Sequence, residues 1–398
     1  MDLPTSPFNK EQSSSSEPPV NDMQETSGSS KAASAFFNAE ATSIPEPSGE
    51  STPLPPEIKH VAATSDRDEL PDNDVEAIDQ LRKVYQSFKQ ELGKVIIGQE
   101  DVIESLAICL FSRGHALLMG VPGLAKTLLV SSVAETMNLS FNRIQFTPDL
   151  MPADITGTDI IQENASGQRA FEFIKGPLFA NLVLADEINR APAKTQSAML
   201  EAMQENMVTV LGKTYQLDKP FFVLATQNPV EQEGTYPLPE AQLDRFMFLI
   251  DVDYPSMDEE LRIARETTGM AKQALNHILS GKQVMAYQDL VRRVPVPDHI
   301  YEYAVKIVRK TRPGSEEAPA WLNDYVGWGA GPRAVQYLIL GAKARAALNG
   351  SYMARLEDIE AVAVSVLSHR VLTNFAAESQ GMTSAKIVAR LVEEMKED

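Results

Sequence analysis

Several kinds of residue are scarce in this chain of 398 residues, and each scarcity excludes a class of structure. The single cysteine, Cys109, rules out an intramolecular disulfide, and its place in an apolar run predicts a buried, inert thiol. No apolar run of about 18 residues or more is present, so we expect no membrane-spanning helix. The first residues lack the basic and apolar segments of a signal peptide, which disfavours secretion, and we expect a cytoplasmic protein.

Positive charge is also scarce. The chain has 36 Lys and Arg residues against 55 Asp and Glu residues, which gives a formal net charge of −19. A surface with this balance repels nucleic-acid backbones, so no nucleic-acid partner is expected. The 5 histidines show no spacing typical of metal ligands, which leaves little support for a histidine metal centre.

Composition divides the chain into three parts. Residues 1–75 carry 14 acidic and 4 basic residues, a net charge of 4 − 14 = −10, and are rich in Ser and Pro, so we expect a disordered tail. In residues 76–255, short apolar strands alternate with helical patterns, which predicts an α/β domain with a parallel sheet. Residues 256–398 have an almost wholly helical pattern and predict a smaller, all-helical second domain.

The strongest single motif is a glycine-rich turn between a predicted strand, 116–119, and a predicted helix, 128–137. In that context the backbone N–H groups of the turn bind phosphate oxygens, and the helix N-terminus adds a partial positive charge. The predicted nucleotide-binding residues of the turn and its flanks are Gly120, Val121, Pro122, Gly123, Leu124, Ala125, Lys126, Thr127 and Leu128. The Lys126 ammonium is expected to reach the β and γ phosphates, and the Thr127 hydroxyl to bind Mg²⁺.

One residue of the turn departs from the usual phosphate-loop pattern, which has Gly immediately before the lysine. That residue is Ala125 here. Alanine fits such a loop where its φ is negative, so we expect the loop to keep its function with a negative φ at this position.

Polar residues follow two further apolar strands. The run 181–185 ends in Asp186 and Glu187, at the carboxyl end of a predicted parallel strand, where ligands bind in open α/β sheets. We expect Asp186 to hold Mg²⁺ and Glu187 to polarise the attacking water, because neighbouring side chains of an extended strand point to opposite sides. A third strand, 221–225, is followed by Asn228, which is expected to position the γ-phosphate or the water.

Taken together, the motifs resemble those of a MoxR-type AAA+ ATPase. The matching segments occur in the family's order over about residues 80–375, and the acidic tail lies outside them. The segments are 95–99, 120–127, 144–149, 176–179, 186–192, 225–229, 238–246 and 331–333. The resemblance implies a phosphate-loop αβα sandwich followed by a helical lid.

The resemblance also assigns roles to individual residues. It implies that Lys126 and Thr127 are the Walker A pair, that Asp186 and Glu187 are the Walker B pair, and that Asn228 is sensor 1. Arg245 and Arg333, whose guanidinium groups suit the charge of a phosphoryl transition state, match the arginine finger and sensor 2. Gly98 and Gln99 match the loop beside the adenine. Two β-hairpin insertions are implied, at 152–176 with a turn at 164–167, and at 207–217 with Gly212 and Lys213 at its tip.

An arginine finger that completes a neighbour's site requires an oligomer, so the resemblance implies a homo-oligomeric ring, most simply a hexamer, which binds ATP and Mg²⁺. The implied activity is ATP hydrolysis by a chaperone-like machine that remodels, assembles or activates protein clients, with a von Willebrand factor A domain protein as partner. Two alternatives stay open. One is a metal-insertion motor like the ATPase subunit of magnesium chelatase, and the other is a nucleotide-gated scaffold with little turnover.

Overall fold

A computed structural model describes residues 70–163, 169–230, 234–268 and 274–397. Five strands form a parallel sheet with the order β2-β5-β8-β1-β9, and three antiparallel pairs, β3-β4, β6-β7 and β10-β11, accompany it. The strands are β1 (Ala116–Met119), β2 (Phe141–Gln145), β3 (Gly157–Glu163), β4 (Arg169–Lys175), β5 (Leu182–Asp186), β6 (Met207–Val210), β7 (Lys213–Gln216), β8 (Phe222–Gln227), β9 (Phe248–Asp251), β10 (Val326–Trp328) and β11 (Leu372–Thr373). The predicted parallel α/β sheet is thus confirmed.

Helices cover both faces of the sheet and build the second half of the chain. They are α1 (Asp74–Leu92), α2 (Glu100–Phe111), α3 (Lys126–Thr136), α4 (Pro152–Thr156), α5 (Ala193–Glu205), α6 (Glu240–Leu243), α7 (Met257–Thr267), α8 (Gly281–Arg293), α9 (Asp298–Lys310), α10 (Pro332–Leu348), α11 (Leu356–Leu367), α12 (Phe375–Ser379) and α13 (Ser384–Glu397). In the described part of the chain, no helix combines the length and the apolar character that crossing a membrane requires.

The register of the sheet places the predicted site residues at one edge. Met119 at the end of β1 pairs with Gln227 of β8, and Ala185 near the end of β5 pairs with Ala225 of β8. Because all five strands run in the same direction, their carboxyl ends meet at this edge. Open α/β sheets bind their ligands at the carboxyl ends of the strands. The amino ends of the same strands meet at the opposite edge.

Alternation along the strands divides the core into two layers. On β5, Leu182 and Leu184 join a hydrophobic cluster that includes α1, α2, α3 and the lid helices. Val183 and Ala185 point to the other face, where they pack with α5 and the hairpins. Cys109 is fully buried, as predicted, and burial raises the pKa of its thiol well above the ordinary value.

Both predicted hairpins are present. In the first, β3 and β4 pair antiparallel with Thr158 opposite Ile174, while the predicted turn at 164–167 lies outside the described residues. In the second, the predicted tip at Gly212 and Lys213 is displaced by one residue. Leu211 and Gly212 form it, with φ of 48° and 80°, because a two-residue hairpin turn with positive φ at both positions suits the twist of the flanking strands.

The second half of the chain is helical except for the short pair β10-β11, and Pro332 starts α10 as predicted. Helix α1 begins at Asp74, two residues before the expected start of the α/β domain, because the Asn73 side chain accepts a hydrogen bond from the Val75 N–H and caps it. The predicted tail lies outside the described residues up to position 69. The expected boundaries of the two folded domains stay predictions.

A buried histidine between the sheet and α5 makes stability depend on pH. His115 Nδ1 accepts a hydrogen bond from the Val223 N–H at 3.0 Å, and Nε2 lies 3.0 Å from the Met203 carbonyl. These partners fix the neutral ring, and burial lowers the pKa of His115 to about 4 from 6.5. Since the unfolded chain binds this proton more tightly, we expect the contribution of His115 to the free energy of unfolding to fall by about 1.4 kcal/mol per pH unit between about pH 6.5 and 4.

Urea unfolding measured at intervals over that range checks this expectation. The variant His115→Gln offers an acceptor and a donor at similar positions and does not titrate, so its profile should be shallower than that of the wild-type chain. Equal slopes for the two proteins would show that His115 does not contribute as stated.

Candidate nucleotide site

The turn between β1 and α3 has the backbone of a phosphate-binding loop. Gly123 adopts φ of 91° and Ala125 adopts φ of 54°, which turn successive N–H groups toward one concave side, and α3 begins at Lys126. A Cβ at Gly120 would lie 2.6 Å from the Val252 carbonyl oxygen, so glycine is needed where the loop leaves the sheet. The loop therefore offers backbone donors and a helix N-terminus to an anion.

The expected negative φ at Ala125 is wrong. Its φ of 54° lies in the left-handed region, where the Cβ of an L-residue crowds the following carbonyl. The loop adopts this conformation all the same, because a left-handed residue directly before α3 turns the chain into the helix. The loop fold is thus maintained by its context and not by the preference of the alanine.

Replacing Ala125 by Gly is expected to remove this backbone strain. The left-handed conformation costs an L-residue about 1–2 kcal/mol, and the extra freedom of glycine in the unfolded chain offsets roughly 0.5–1 kcal/mol of the relief. We expect a net gain in the free energy of unfolding of roughly 0–1.5 kcal/mol. Denaturant titration of both proteins measures it, and a loss of stability would contradict the assignment of strain to this residue.

Lys126 lies over the loop that precedes it. Its Nζ donates a hydrogen bond to the Gly120 carbonyl and lines the same cleft as Asp186 and Glu187. Burial lowers the pKa of the Lys126 ammonium, and the two nearby carboxylates act in the opposite direction. The ammonium is thus held at the mouth of the loop, where it would meet the phosphates of a nucleotide.

The acidic pair at the end of β5 is held by a network of hydrogen bonds. Arg143 Nη2 donates to Asp186 Oδ2 at 2.5 Å, and the Thr226 hydroxyl donates to Asp186 Oδ1 at 2.6 Å. Gln145 Nε2 donates to Glu187 Oε2 at 2.9 Å, and Arg190 forms an ion pair with the same oxygen at 3.2 Å. Both carboxylates are therefore oriented before any ligand binds.

The expected extended geometry of the pair is wrong at its second residue. Strand β5 ends at Asp186, and Glu187 adopts φ of 56° in the left-handed region. A turn, and not strand alternation, sets the direction of the Glu187 side chain, and the Thr226 hydroxyl fixes that turn by accepting the Glu187 N–H at 2.9 Å. The two carboxylates still line one cleft.

The four partners of the acidic pair were not predicted from the sequence, although a pattern in the sequence points to three of them. Arg143 and Gln145 lie two positions apart on β2, so they project to the same side of the strand, and Thr226 lies near the end of β8. Polar side chains at alternate positions of a strand next to β5 are the pattern that identifies the first two. Thr226 is found from the same rule that singled out Asn228, since both follow the apolar run of β8.

Asn228 completes the cleft. Its side chain is buried, and its Oδ1 accepts a hydrogen bond from the Val230 N–H at 3.1 Å. The cleft has a volume of about 450 Å³ and brings together the phosphate loop, the acidic pair and Asn228, as the sequence predicts. Its lining residues are Gly120, Pro122, Gly123, Leu124, Ala125, Lys126, Thr127, Leu128, Arg143, Gln145, Asp186, Glu187, Thr226 and Asn228.

The loop predicted to lie beside the adenine touches the phosphate loop. Gln99 Nε2 donates to the Leu124 carbonyl at 3.3 Å, and the backbone adopts φ of 70° at Gly98 and 58° at Gln99. Within the described ranges, the buried Gln99 Oε1 has no hydrogen-bond partner. A buried acceptor of this kind suits a donor such as the exocyclic amine of adenine, so the residues present fit an adenine nucleotide.

The oxygen atoms in the cleft suit Mg²⁺. Thr127 supplies a hydroxyl and Asp186 a carboxylate, and Mg²⁺ is commonly bound through one or two such groups together with substrate phosphates. Among the described residues there is no cluster of three or more His, Cys, Asp and Glu side chains that would form an all-protein metal cage. The donor set therefore fits a metal that arrives with the nucleotide.

The two predicted arginines lie elsewhere. Arg245 and Arg333 line a second cavity of about 440 Å³, which also includes His115 and Phe221 from the amino ends of β1 and β8. This cavity shares no residue with the phosphate cleft. Arg333 Nη1 forms an ion pair with Asp244 at 2.9 Å. The structure thus places both arginines at the opposite edge of the sheet from the cleft.

A five-stranded parallel sheet with a phosphate loop, an acidic pair and a helical lid defines a phosphate-loop nucleotide-binding protein. Comparison with family models agrees. Residues 115–248 match the model described as ATPase family associated with various cellular activities (AAA), and residues 320–391 match the AAA lid domain.

Relatives narrow the assignment. The chain is 41% identical over 303 residues to Chaperone MoxR1 of Mycobacterium tuberculosis, covering 76% of this chain and 79% of that protein. It is 29% identical over 325 residues to protein MoxR of Methylorubrum extorquens, covering 77% and 91% of the two chains. A crystal structure of a Cytophaga hutchinsonii protein superimposes with a TM-score of 0.74 at 44% identity, covering 79% of this chain and 95% of the other. The chain belongs to the MoxR family of AAA ATPases, which confirms the predicted resemblance.

Proposed function

We propose that this protein hydrolyses ATP in a site shared between two copies of the chain, and uses that reaction to remodel protein clients. One observation carries the proposal. The phosphate loop, Asp186, Glu187 and Asn228 line one cleft, whereas Arg245 lies at the opposite edge of the sheet. A chain built in this way contains both halves of a phosphoryl-transfer site but does not bring them together by itself.

The residues of the cleft divide the work of hydrolysis. Backbone N–H groups of the loop and the Lys126 ammonium bind and orient the phosphates, which costs no reorganisation during the reaction. Thr127 and Asp186 would hold Mg²⁺, which supplies positive charge to the phosphate oxygens. Glu187 orients the attacking water and accepts its proton. Asn228 positions the γ-phosphate or the water without adding charge.

The arginines act on a neighbouring copy. When the amino edge of one subunit meets the carboxyl edge of the next, Arg245 and Arg333 of the first subunit supply positive charge to the nucleotide of the second. A contact between two different faces is heterologous, and it closes into a ring when the rotation between subunits divides the circle. We propose a hexameric ring, as the family resemblance implies.

The output of the motor is proposed to be mechanical work on a protein client, in line with the name of the Mycobacterium tuberculosis relative, Chaperone MoxR1. We propose a client or partner with a von Willebrand factor A domain. The alternative of a nucleotide-gated scaffold is favoured by one observation, namely that Asp186 and Glu187 both carry arginine partners in this structure. The rate of ATP hydrolysis distinguishes a motor from a scaffold.

Three measurements test the proposal. Phosphate release with saturating Mg·ATP and the oligomeric state under the same conditions test the motor, and a monomer that releases no phosphate contradicts it. Affinity capture with a Glu187→Gln variant and ATP tests the client, because a stalled motor should retain it. A capture without any von Willebrand factor A domain protein counts against that partner class.

A further inference from the structure

A buried guanidinium lies directly beneath the turn that carries Arg245. The Arg370 side chain, which follows helix α11, is only 2% exposed. Its Nε donates to Asp244 Oδ1 at 2.8 Å, and its Nη2 donates to the Asp244 carbonyl at 2.9 Å and to the Phe246 carbonyl at 2.7 Å. The Arg370 side chain thus donates hydrogen bonds to the residues immediately before and after Arg245.

The remaining nitrogen of Arg370 connects the turn to the lid. Nη1 donates to the Met247 carbonyl at 3.2 Å and to the Val366 carbonyl in the last turn of α11. A buried charge is unfavourable unless hydrogen-bond partners satisfy it. Truncating Arg370 would also leave the buried carbonyl groups that it binds without a donor. The hydrogen bonds of one charged group therefore connect the turn 244–247 to α11.

The carboxylate of Asp244 carries the connection to the second arginine. Its Oδ1 accepts from Arg370, and its Oδ2 accepts from Arg333 Nη1 at 2.9 Å. The Tyr337 hydroxyl, on the same helix as Arg333, donates to the Arg245 carbonyl at 3.3 Å, and the Tyr337 ring lies 5.0 Å from the Arg370 guanidinium. Both trans-acting arginines are thus tied to the same buried group.

We propose that Arg370 is a positioning residue that aligns Arg245 and Arg333 for the nucleotide of the neighbouring subunit, acting through Asp244 and the carbonyls of the turn. This inference rests on the proposed hydrolysis across two copies. Arg370 itself touches no part of the phosphate cleft. An apolar residue would be enough to pack the lid against the sheet, whereas the donors of Arg370 converge on the turn next to Arg245. The geometry therefore indicates that the charge of Arg370 aligns the two arginines.

Arg370→Lys and Asp244→Asn test the assignment in the full-length chain. Lysine keeps the charge but has a single nitrogen, which does not span the carbonyls of the turn, and asparagine keeps the shape but removes the charge. A displacement of the arginines by about 1 Å should lower kcat by about 10²-fold. The affinity for a fluorescent ADP analogue should stay unchanged, because the cleft lies at the other edge. Arg345→Lys, a lid arginine paired with Asp358, is the matched control and should keep its kcat.

Mixed assemblies separate alignment from general damage. Arg370→Lys subunits, with intact clefts, are co-expressed with Glu187→Gln subunits, with intact arginines, and complexes with both tags are purified. In a random equal mixture, about a quarter of the sites combine an intact cleft with intact neighbouring arginines, so activity should return to about that share of the wild-type rate. Arg245→Ala subunits, mixed in the same way, show the recovery expected for loss of a finger alone.

The outcomes are distinct. Recovery in both mixtures supports the inference. Full activity of Arg370→Lys alone overturns it, as does recovery with Arg245→Ala but not with Arg370→Lys, which would mean that the lysine damages its own subunit. Full activity of Arg245→Ala alone overturns the proposed function, and the inference with it.

Discussion

Replacing Glu187 by Gln is expected to lower the rate of ATP hydrolysis by about 10²–10⁴-fold, the contribution typical of a general base. Glutamine keeps the size of the side chain and an oxygen that accepts the hydrogen bond from Gln145 Nε2, which lies 2.9 Å from Glu187 Oε2. It removes the negative charge that accepts a proton from water. The cleft should therefore keep its shape and lose its chemistry.

Nucleotide binding should survive this substitution, because the phosphate loop and Lys126 supply the binding groups. Steady-state phosphate release and titration with a fluorescent ATP analogue measure the two effects separately. Glu135→Gln on α3 is the matched control, since Glu135 is exposed and lines no part of the cleft. Equal, slow rates for the wild-type and Glu187→Gln proteins would favour a nucleotide-gated scaffold over a motor.

Much of the site follows from strand order and strand ends alone. The apolar runs before Gly120, Asp186 and Asn228 predict parallel strands, and the carboxyl ends of parallel strands meet at one edge. This reasoning needs no contact between distant residues, and the cleft contains all three as expected. Arg245, which precedes β9, and Arg333 lie at the other edge, and only the structure shows this placement.

Other features depend on contacts that spacing along the chain does not reveal. The left-handed backbone of Ala125 and Glu187 is imposed by the turns in which they lie, against the preference of either residue. Arg370 follows a helix in a segment with no motif, and its partner Asp244 is 126 residues away in sequence. A lone arginine is usually a surface charge, so only the fold distinguishes this one from the rest.

Replacing Arg245 by Ala is expected to lower kcat by about 10³-fold or more, since arginine fingers contribute 10³–10⁵ in related phosphoryl-transfer sites. The residue precedes β9, and the four residues of β9 separate it from the carboxyl edge. At about 3.3 Å per residue that strand spans roughly 13 Å, which is beyond the reach of a side chain toward its own cleft. In the described part of the chain, the Arg245 guanidinium takes part in no ion pair.

Dilution distinguishes an arginine that acts on a neighbour from one that acts within its own chain. If the neighbour supplies it, the specific activity of the wild-type protein should fall toward that of Arg245→Ala as the assembly dissociates, while the variant should depend little on concentration. Arg82→Ala on α1 is the matched control, because Arg82 is exposed and lines neither cavity. A wild-type protein whose activity per subunit stays constant as it dissociates to monomers would show that the site is complete within one chain.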